Sequence, residues 1–217
     1  MSAADHLITL SDPRSPMAEA YRTLRTNLMF SSLDHPLHTL LVTSPAQEAG
    51  QSLALANLAV TLAQAGRKTI VVDCDLRRPR LHEIFEVPGE PGLTSMILGE
   101  TKKPPLRAVG VDGLWLLPAG PLPPNPADLL GSKRMEEVIT ALKAKAEIIL
   151  FGAPPVVAVT DAALLASKLD GAMLVLNAGH TRRDHAQRAR ELLEKINVRI
   201  VGAVLTNAAV DGSLRAY

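Results

Sequence analysis

A short segment at 44–52, SPAQEAGQS, has the spacing of a loop that binds phosphate groups. Such loops read G-x-x-x-x-G-K-S/T: backbone N–H groups cradle the phosphates, the lysine reaches the β- and γ-phosphates, and the hydroxyl binds Mg²⁺. Gly50 and Ser52 hold their places. Gln51, however, replaces the lysine, and Pro45, which lacks an N–H, replaces the first glycine. Taken alone, the segment is better explained as an ordinary turn between a strand and a helix.

A second candidate site follows the apolar run at 68–73. Asp73 and Asp75 stand two residues apart where that run ends, and Arg77 and Arg78 come directly after them. Two carboxylates that leave a buried strand together can hold a divalent cation or orient a hydroxyl group. The arginines could bind a phosphate or the carboxylate of a partner. The alternative for the whole segment is a solvated polar turn.

A third position with a bearing on phosphate chemistry is Gly152. It follows the apolar run at 147–151, and ATPases commonly place an acidic residue that binds Mg²⁺ at the end of such a strand. Glycine has no side chain with which to bind a metal ion. By itself, this position predicts only a tight turn after a buried strand.

The elements that position these residues can be predicted from hydrophobic periodicity. Continuous apolar runs indicate strands that are buried on both faces, and segments with helical spacing separate them. This order predicts an α/β fold of three layers, a mostly parallel sheet with helices on both faces. Ligands of such folds bind at the carboxyl ends of the strands, where the three candidate positions lie. The predicted strands are 38–43, 68–73, 114–117, 147–151, 172–177 and 199–206; the main predicted helices are 17–30, 51–65, 133–145, 161–167 and 184–195.

Length and composition narrow the possible classes of protein. The 217 residues, 47% of them hydrophobic, suit one domain over 1–217, with a loose leader at 1–14 and a short tail at 208–217. A net charge of +1 argues against a nucleic-acid partner. The single cysteine, Cys74, excludes an intrachain disulfide, and no apolar run is long enough to span a membrane. We expect a cytoplasmic protein that needs a partner to bring it to a membrane.

The chain resembles the bacterial tyrosine kinase (BY-kinase) family, cytoplasmic P-loop ATPases of capsule and exopolysaccharide assembly. The resemblance covers residues 15–207. An ATPase of the chromosome-partitioning kind fits less well, because those proteins carry an extra lysine early in the loop and this chain has none between His38 and Arg67. The resemblance is carried by SPMAEAYRTLRTNLMF, LANLAVTLAQAGRKTIVVDCDLRRPRLHEIF, GLTSMILGE, LLPAGPLPPNPADLL and PPVVAVTDA.

The resemblance implies a P-loop NTPase-like fold and assigns roles around a nucleotide. Gly50 and Ser52 match the phosphate loop, with Gln51 at the position of its lysine. Asn207 ends the last predicted strand, where related ATPases often place an asparagine against the adenine base. ATP or ADP is the implied nucleotide.

The resemblance also implies a magnesium site. Asp73 and Asp75 match the second acidic motif of the family, which helps to bind Mg²⁺, together with Ser52, and to activate the attacking hydroxyl. Gly152 departs from the third acidic motif. If the chain is active, Asp73 and Asp75 are the expected catalytic residues.

Two further features bear on assembly. Glu19, Arg22 and Arg25 match the E-x-x-R-x-x-R helix with which family members contact a neighbour and build a ring. The alternative is ion pairing within the helix, worth about 0.2–0.5 kcal/mol per pair. The family also ends in a cluster of tyrosines that neighbours phosphorylate, and here only Tyr217 stands in the tail.

These observations lead to one hypothesis and two alternatives. Loss of a single charged group at the transferring phosphate costs on the order of 10³-fold in rate, and two are missing here. We therefore expect a pseudokinase that acts as a scaffold or regulator, working with a membrane polysaccharide co-polymerase at the inner face of the membrane. It would form a homo-oligomeric ring or a hetero-oligomer with an active kinase. The alternatives are an active autokinase with a divergent loop and an adaptor that binds no nucleotide.

Overall fold

A seven-stranded sheet forms the centre of the molecule. In the computed structural model, which describes residues 7–31, 33–47 and 50–208, the strands are β1 (Thr39–Thr43), β2 (Thr69–Asp73), β3 (Arg107–Ala108), β4 (Leu114–Leu117), β5 (Ile148–Gly152), β6 (Gly171–Asn177) and β7 (Ile200–Thr206). Their order is β3-β4-β2-β5-β1-β6-β7. Every neighbouring pair is parallel except β3 and β4. The predicted, mostly parallel sheet is confirmed.

Helices cover both faces of this sheet. Leu40 and Leu41 are consecutive in β1 and belong to two different hydrophobic clusters, one on each face, because successive side chains of a strand point to opposite sides. All five residues of β1, β2 and β5 are buried, which explains why these strands are continuous apolar runs. The helices are α1 (Ile8–Ser11), α2 (Pro16–Ser31), α3 (Gln51–Gln64), α4 (Leu81–Ile84), α5 (Leu93–Ile97), α6 (Pro126–Gly131), α7 (Lys133–Lys143), α8 (Asp161–Ala166) and α9 (Arg183–Lys195).

Helix α3 connects the phosphate-loop segment to the core. Its sequence, QSLALANLAVTLAQ, is rich in alanine and leucine, which have high helix propensity. Ten of its fourteen residues are buried, because the helix is enclosed by the sheet on one side and by α1, α2 and α4 on others. Its first turn is thereby held at the carboxyl end of β1. Among the helices of the described residues, none has both the length and the apolar character to span a membrane.

The predicted loose leader at 1–14 needs correction where the structure describes it, over 7–14. Leu7 is completely buried, and Thr9 donates hydrogen bonds from its N–H and its hydroxyl to Oδ1 of Asn57, at 3.1 and 2.8 Å. This segment is therefore docked onto α3. A single helical turn is too short to show periodicity, so α1 was not predicted. The short elements β3 and α6, of two and six residues, were not predicted for the same reason.

Candidate functional site

The three candidate positions meet at one cavity of about 750 Å³. The sheet order explains this, because β2, β5 and β1 are adjacent and their carboxyl ends lie side by side. Asp73 and Gly152 are register partners on β2 and β5. The predicted residues that line the cavity are Gly50, Gln51, Ser52, Asp73, Asp75 and Gly152, joined by Ser44, Gln47, Arg78, Arg80 and Glu83 among others.

The amino terminus of α3 forms one wall of the cavity. Gly50 precedes the helix in the left-handed conformation, with a φ of 66°, and among the described residues no side chain caps the first turn. The N–H groups of an uncapped first turn, together with the helix dipole, favour an anion. Ser52 lies in this turn and lines the cavity. The backbone of a phosphate loop is thus partly preserved, while Glu48 and Ala49 lie outside the described residues.

Gln51, at the lysine position, binds the protein's own backbone. Its Nε2 donates to the carbonyl oxygen of Val42, at 3.0 Å, and to that of Ala153, at 2.6 Å. An amide has two N–H groups, and both are used here. The side chain therefore links the ends of β1 and β5, and in this position it has no donor left for a phosphate.

The space beside Gly152 is filled by leucine. A Cβ atom at this position would lie 2.6 Å from Cδ2 of Leu55, a distance that real Cβ atoms do not show, and 3.7 Å from Cδ1 of Leu81. Leu55 is completely buried, so its side chain has little freedom to move away. An aspartate at this position, as the resemblance implies, would require the buried side chain of Leu55 to shift.

Asp73 is buried, and both of its carboxylate oxygens accept hydrogen bonds from the following turn. Oδ1 accepts from the N–H of Asp75 at 3.2 Å, and Oδ2 accepts from the N–H groups of Arg80 and Leu81 at 3.1 and 2.9 Å. Burial raises the pKa of Asp73 from 3.8 to about 7, a net value that includes the lowering effect of these N–H groups and a smaller raising effect of the nearby charge of Asp75. In this arrangement the side chain organises the start of α4.

The buried carboxyl gives a testable pH dependence. Unfolded aspartate titrates near 3.9, so between about pH 4 and pH 7 the folded state holds one proton more than the unfolded state. The free energy of unfolding should therefore fall by up to about 1.4 kcal/mol per pH unit as the pH rises from about 4 to about 7. Below about pH 4 the protonated Asp73 makes its full contribution to stability. Urea unfolding at about pH 5 and about pH 6.5 measures this slope. Asp73→Asn should flatten it, and an equal slope in both proteins would contradict the assignment.

The arginines after β2 have different surroundings. The Arg77 guanidinium forms a bidentate ion pair with the fully buried carboxylate of Asp161, through Nε at 2.9 Å and a terminal nitrogen at 3.0 Å. This hydrogen bonding raises the pKa of Arg77. In this structure Arg77 thus holds a carboxylate of its own chain, and binding of a phosphate or of a partner's carboxylate by Arg77 stays a prediction. Arg78, in contrast, lines the cavity, and its N–H donates to Oδ1 of Asp75 at 2.9 Å.

The proposed adenine residue, Asn207, is not among the residues that line the cavity. Nδ2 of Asn207 donates to Oδ1 of Asn177, at 3.0 Å, which links the ends of β7 and β6. No sequence signal pointed to this contact, because it depends on the adjacency of two strands. A role for Asn207 in binding a base stays a prediction.

The E-x-x-R-x-x-R residues lie on α2. Glu19 and Arg22 form an ion pair within the helix, and Arg22 also donates to the carbonyl oxygen of Pro13 at 2.6 Å. Arg25 donates to the carbonyl oxygen of Thr61 at 3.1 Å. Contacts with a neighbouring subunit stay a prediction. Tyr217 lies outside the described residues.

The oxygen donors at the cavity do not fit a magnesium site of the implied kind. Mg²⁺ needs near-octahedral oxygen ligands and is usually held by one or two carboxylates. Gly152 offers none, and both oxygens of Asp73 are occupied by backbone N–H groups. Asp75 and Ser52 remain. Within the described parts of the chain, no group of three or more histidine, cysteine, aspartate or glutamate side chains could hold a metal ion.

The fold and the loop-helix wall define a P-loop NTPase-like protein. The cell division ATPase MinD of Pyrococcus furiosus has a TM-score of 0.67 at 24% identity, over 82% of this chain and 77% of that one, a likeness of fold alone. The chimerical protein CapA2B2 has a TM-score of 0.89 at 35% identity, over 93% of this chain and 89% of that one.

Sequence comparison identifies the family. The chain is 37% identical over 201 residues to tyrosine-protein kinase YwqD of Bacillus subtilis, covering 92% of this chain and 85% of that one. It is 35% identical over 206 residues to the putative tyrosine-protein kinase CapB of Staphylococcus aureus, covering 94% and 90%. The chain matches none of the family models against which it was searched. It belongs to the family of bacterial tyrosine-protein kinases.

Proposed function

We propose that this chain is a pseudokinase that acts as a scaffold or regulator in capsule or exopolysaccharide synthesis and export. The observation that carries the proposal is the filled space beside Gly152, where Leu55 occupies the volume of the implied aspartate. Gln51 supports it, because its amide binds Val42 and Ala153 in place of a phosphate. Both changes are built into the packing of the site.

The expected loss in the rate of phosphoryl transfer supports the same proposal. Phosphoryl transfer depends on positioning and on neutralising the charge that develops on the transferred group. Loss of one charged stabiliser costs on the order of 10³-fold, which would lower a typical kinase turnover of about 1–100 s⁻¹ to about 10⁻³–10⁻¹ s⁻¹. The effects of losing two charged stabilisers need not be additive, but the second loss does not restore the rate. A scaffold role does not require this rate.

A second candidate function is an active autokinase with a divergent loop. The observation that favours it is the retained cavity, which Ser52, Asp73 and Asp75 still line, in a chain whose relatives are named as kinases. A third candidate, an adaptor that binds no nucleotide, predicts no thermal shift with ATP or ADP. The autokinase and the pseudokinase differ in turnover, which decides between them.

Hydrolysis of Mg-ATP by the purified chain and by Asp73→Ala tests the proposal. Both proteins should release phosphate at the same background rate, with or without the membrane polysaccharide co-polymerase. The partner is included because it could be needed for activity. Ser52→Ala, a smaller change at the surface of the cavity, provides a second comparison if Asp73→Ala fails to fold. Magnesium-dependent hydrolysis that either variant abolishes would overturn the pseudokinase proposal in favour of an active enzyme.

The scaffold proposal includes assembly at the inner face of the membrane. We propose that α2 contributes to a ring of identical subunits or to a mixed assembly with an active kinase, with Glu19 and Arg22 at the contact. The Glu19 side chain is 63% exposed and therefore accessible to a neighbour. Light scattering should show smaller particles for Glu19→Ala than for Glu137→Ala, a matched change in another exposed pair with three-residue spacing. Equal particle sizes would remove α2 from the proposal.

A further inference from the structure

We propose that the cavity binds the phosphate chain of a nucleoside diphosphate or triphosphate without a divalent metal, and that Arg78 supplies the compensating positive charge. This inference rests on the proposed function, because it describes what a site that no longer transfers phosphate still recognises. It concerns the same cavity at the carboxyl ends of β1, β2 and β5. Its support comes from the charges that remain around that cavity.

The first step is the poor fit of the site to Mg²⁺. Three backbone N–H groups donate to the two oxygens of Asp73 and use most of its capacity to accept, and Gly152 provides no oxygen donor from a side chain. Asp75 has one oxygen engaged by the N–H groups of Arg77 and Arg78, at 3.2 and 2.9 Å. A metal ion would therefore depend on the other oxygen of Asp75 and on the Ser52 hydroxyl. P-loop NTPases hold Mg²⁺ between the loop hydroxyl and an acidic residue at the end of a neighbouring strand, and that acidic residue is the one missing at Gly152.

The second step is that bound phosphates need positive charge from the protein. A diphosphate carries several negative charges, and an ordinary phosphate loop offsets them with its lysine and its metal ion. Here the lysine is Gln51, whose N–H groups are already used by two carbonyl oxygens. The uncapped amino terminus of α3, a helix of fourteen residues, supplies part of the compensation through its N–H groups. A full positive charge must come from another side chain.

Arg78 is the side chain that meets this demand. Two arginines, Arg78 and Arg80, line the cavity. Nε of Arg80 lies 3.8 Å from an oxygen of Glu83, so part of its charge is offset. The Arg78 guanidinium has no hydrogen bond or ion pair within the described parts of the chain, whereas its backbone N–H is held by Asp75. Its planar fork suits phosphate oxygens.

The size of the cavity agrees with a nucleotide. Small-molecule sites usually enclose about 300–1,000 Å³, and this cavity encloses about 750 Å³. Leu53, Leu55 and Ile84 add apolar surface to the lining. The cavity thus offers an anion-binding wall, an unpaired arginine and apolar contacts within one space.

Calorimetric titration of the whole chain tests the inference with two probes, ADP and pyrophosphate, each in EDTA and in excess Mg²⁺. ADP should bind in EDTA with an affinity within about threefold of that in Mg²⁺. Arg78→Ala should weaken binding at least about tenfold, the effect of losing a charge-assisted hydrogen bond. Arg188→Ala, an exposed arginine on α9 outside the cavity lining, should leave it unchanged. Thermal unfolding of each variant establishes that it is folded.

Each outcome has a defined meaning. Binding of pyrophosphate in EDTA that Arg78→Ala weakens shows that the phosphate chain alone is recognised; binding of ADP but not pyrophosphate shows that the nucleoside is needed, and both support the inference. Binding that requires Mg²⁺, binding that Arg78→Ala does not affect, or no binding of either probe would overturn it. None of these results involves turnover. Hydrolysis of ATP would instead overturn the proposed function and leave the affinities as measured.

Discussion

Gly152→Ala is expected to lower the free energy of unfolding by roughly 1–3 kcal/mol, the usual cost of adding atoms to a packed core. The physical reason is the 2.6 Å that would separate the new Cβ from Cδ2 of Leu55. In a Leu55→Ala background the same change should cost close to nothing, because the obstructing methyl group is gone. Leu55→Ala alone should cost about 2–5 kcal/mol through the cavity that it leaves.

A double-mutant cycle by urea unfolding measures this coupling. The two changes together should be about 1–3 kcal/mol less destabilising than the sum of the single changes. Leu62→Ala provides the matched control, because Leu62 is equally buried in α3 but lies two turns, about 10.5 Å, further along the helix. Gly152→Ala and Leu62→Ala should be additive within about 0.5 kcal/mol. Additivity in both cycles would mean that Leu55 does not fill the place of the missing acid.

The coupling also determines how catalysis would have to be restored. Gln51→Lys and Gly152→Asp supply the missing charges, but the aspartate needs the space that Leu55 occupies. We therefore expect the double change to fold poorly and the triple change with Leu55→Ala to recover stability relative to it. The thermal unfolding midpoints of the two proteins compare them directly. Equal midpoints would show that the site accepts the aspartate without further change.

Arg77→Ala should destabilise the fold by about 2–3 kcal/mol. The change leaves the carboxylate of Asp161, which is completely buried, without its positive partner. Breaking a buried pair costs about 3–5 kcal/mol, and we expect less here because the Arg77 side chain is 43% exposed and water screens it. The loss should appear as a lower urea midpoint with an unchanged denaturant slope.

Arg134→Ala is the matched control for this change. It removes an arginine from an ion pair with Glu137 in which both side chains are about two-thirds exposed. Such surface pairs contribute about 0–1 kcal/mol, so the midpoint should shift little. If Arg77→Ala and Arg134→Ala had the same small effect, the pairing of Arg77 with Asp161 would not hold β2 and α8 together.

The sheet and its main helices could be predicted because their signal is local. Buried parallel strands such as β1, β2 and β5 are continuous apolar runs, and α3 has the composition of a helix over fourteen residues. The docking of residues 7–14 could not be predicted, since it depends on one buried leucine and on hydrogen bonds to Asn57, forty-eight positions away from Thr9. Periodicity contains no information on such contacts.

The residues that line the site could be predicted from the sequence, but the contacts that they make could not. The positions after each strand identified Gln51, Asp73 and Gly152, and all three line one cavity. The position of Leu55 beside Gly152 could not be predicted, because Leu55 has the pattern of an ordinary apolar residue of a helix. The pairing of Arg77 with Asp161 spans eighty-four positions. These contacts follow from which strands are adjacent, and that order is a property of the whole fold.

Transfer of the γ-phosphate of ATP to the protein itself distinguishes a pseudokinase from an active autokinase. Purified wild-type chain is incubated with labelled Mg-ATP beside the triple variant Gln51→Lys, Leu55→Ala and Gly152→Asp, with and without the membrane polysaccharide co-polymerase. We expect the wild-type chain to take up no label above that of a sample with EDTA. Magnesium-dependent labelling of a tyrosine in the wild-type chain, with or without the partner, would contradict it.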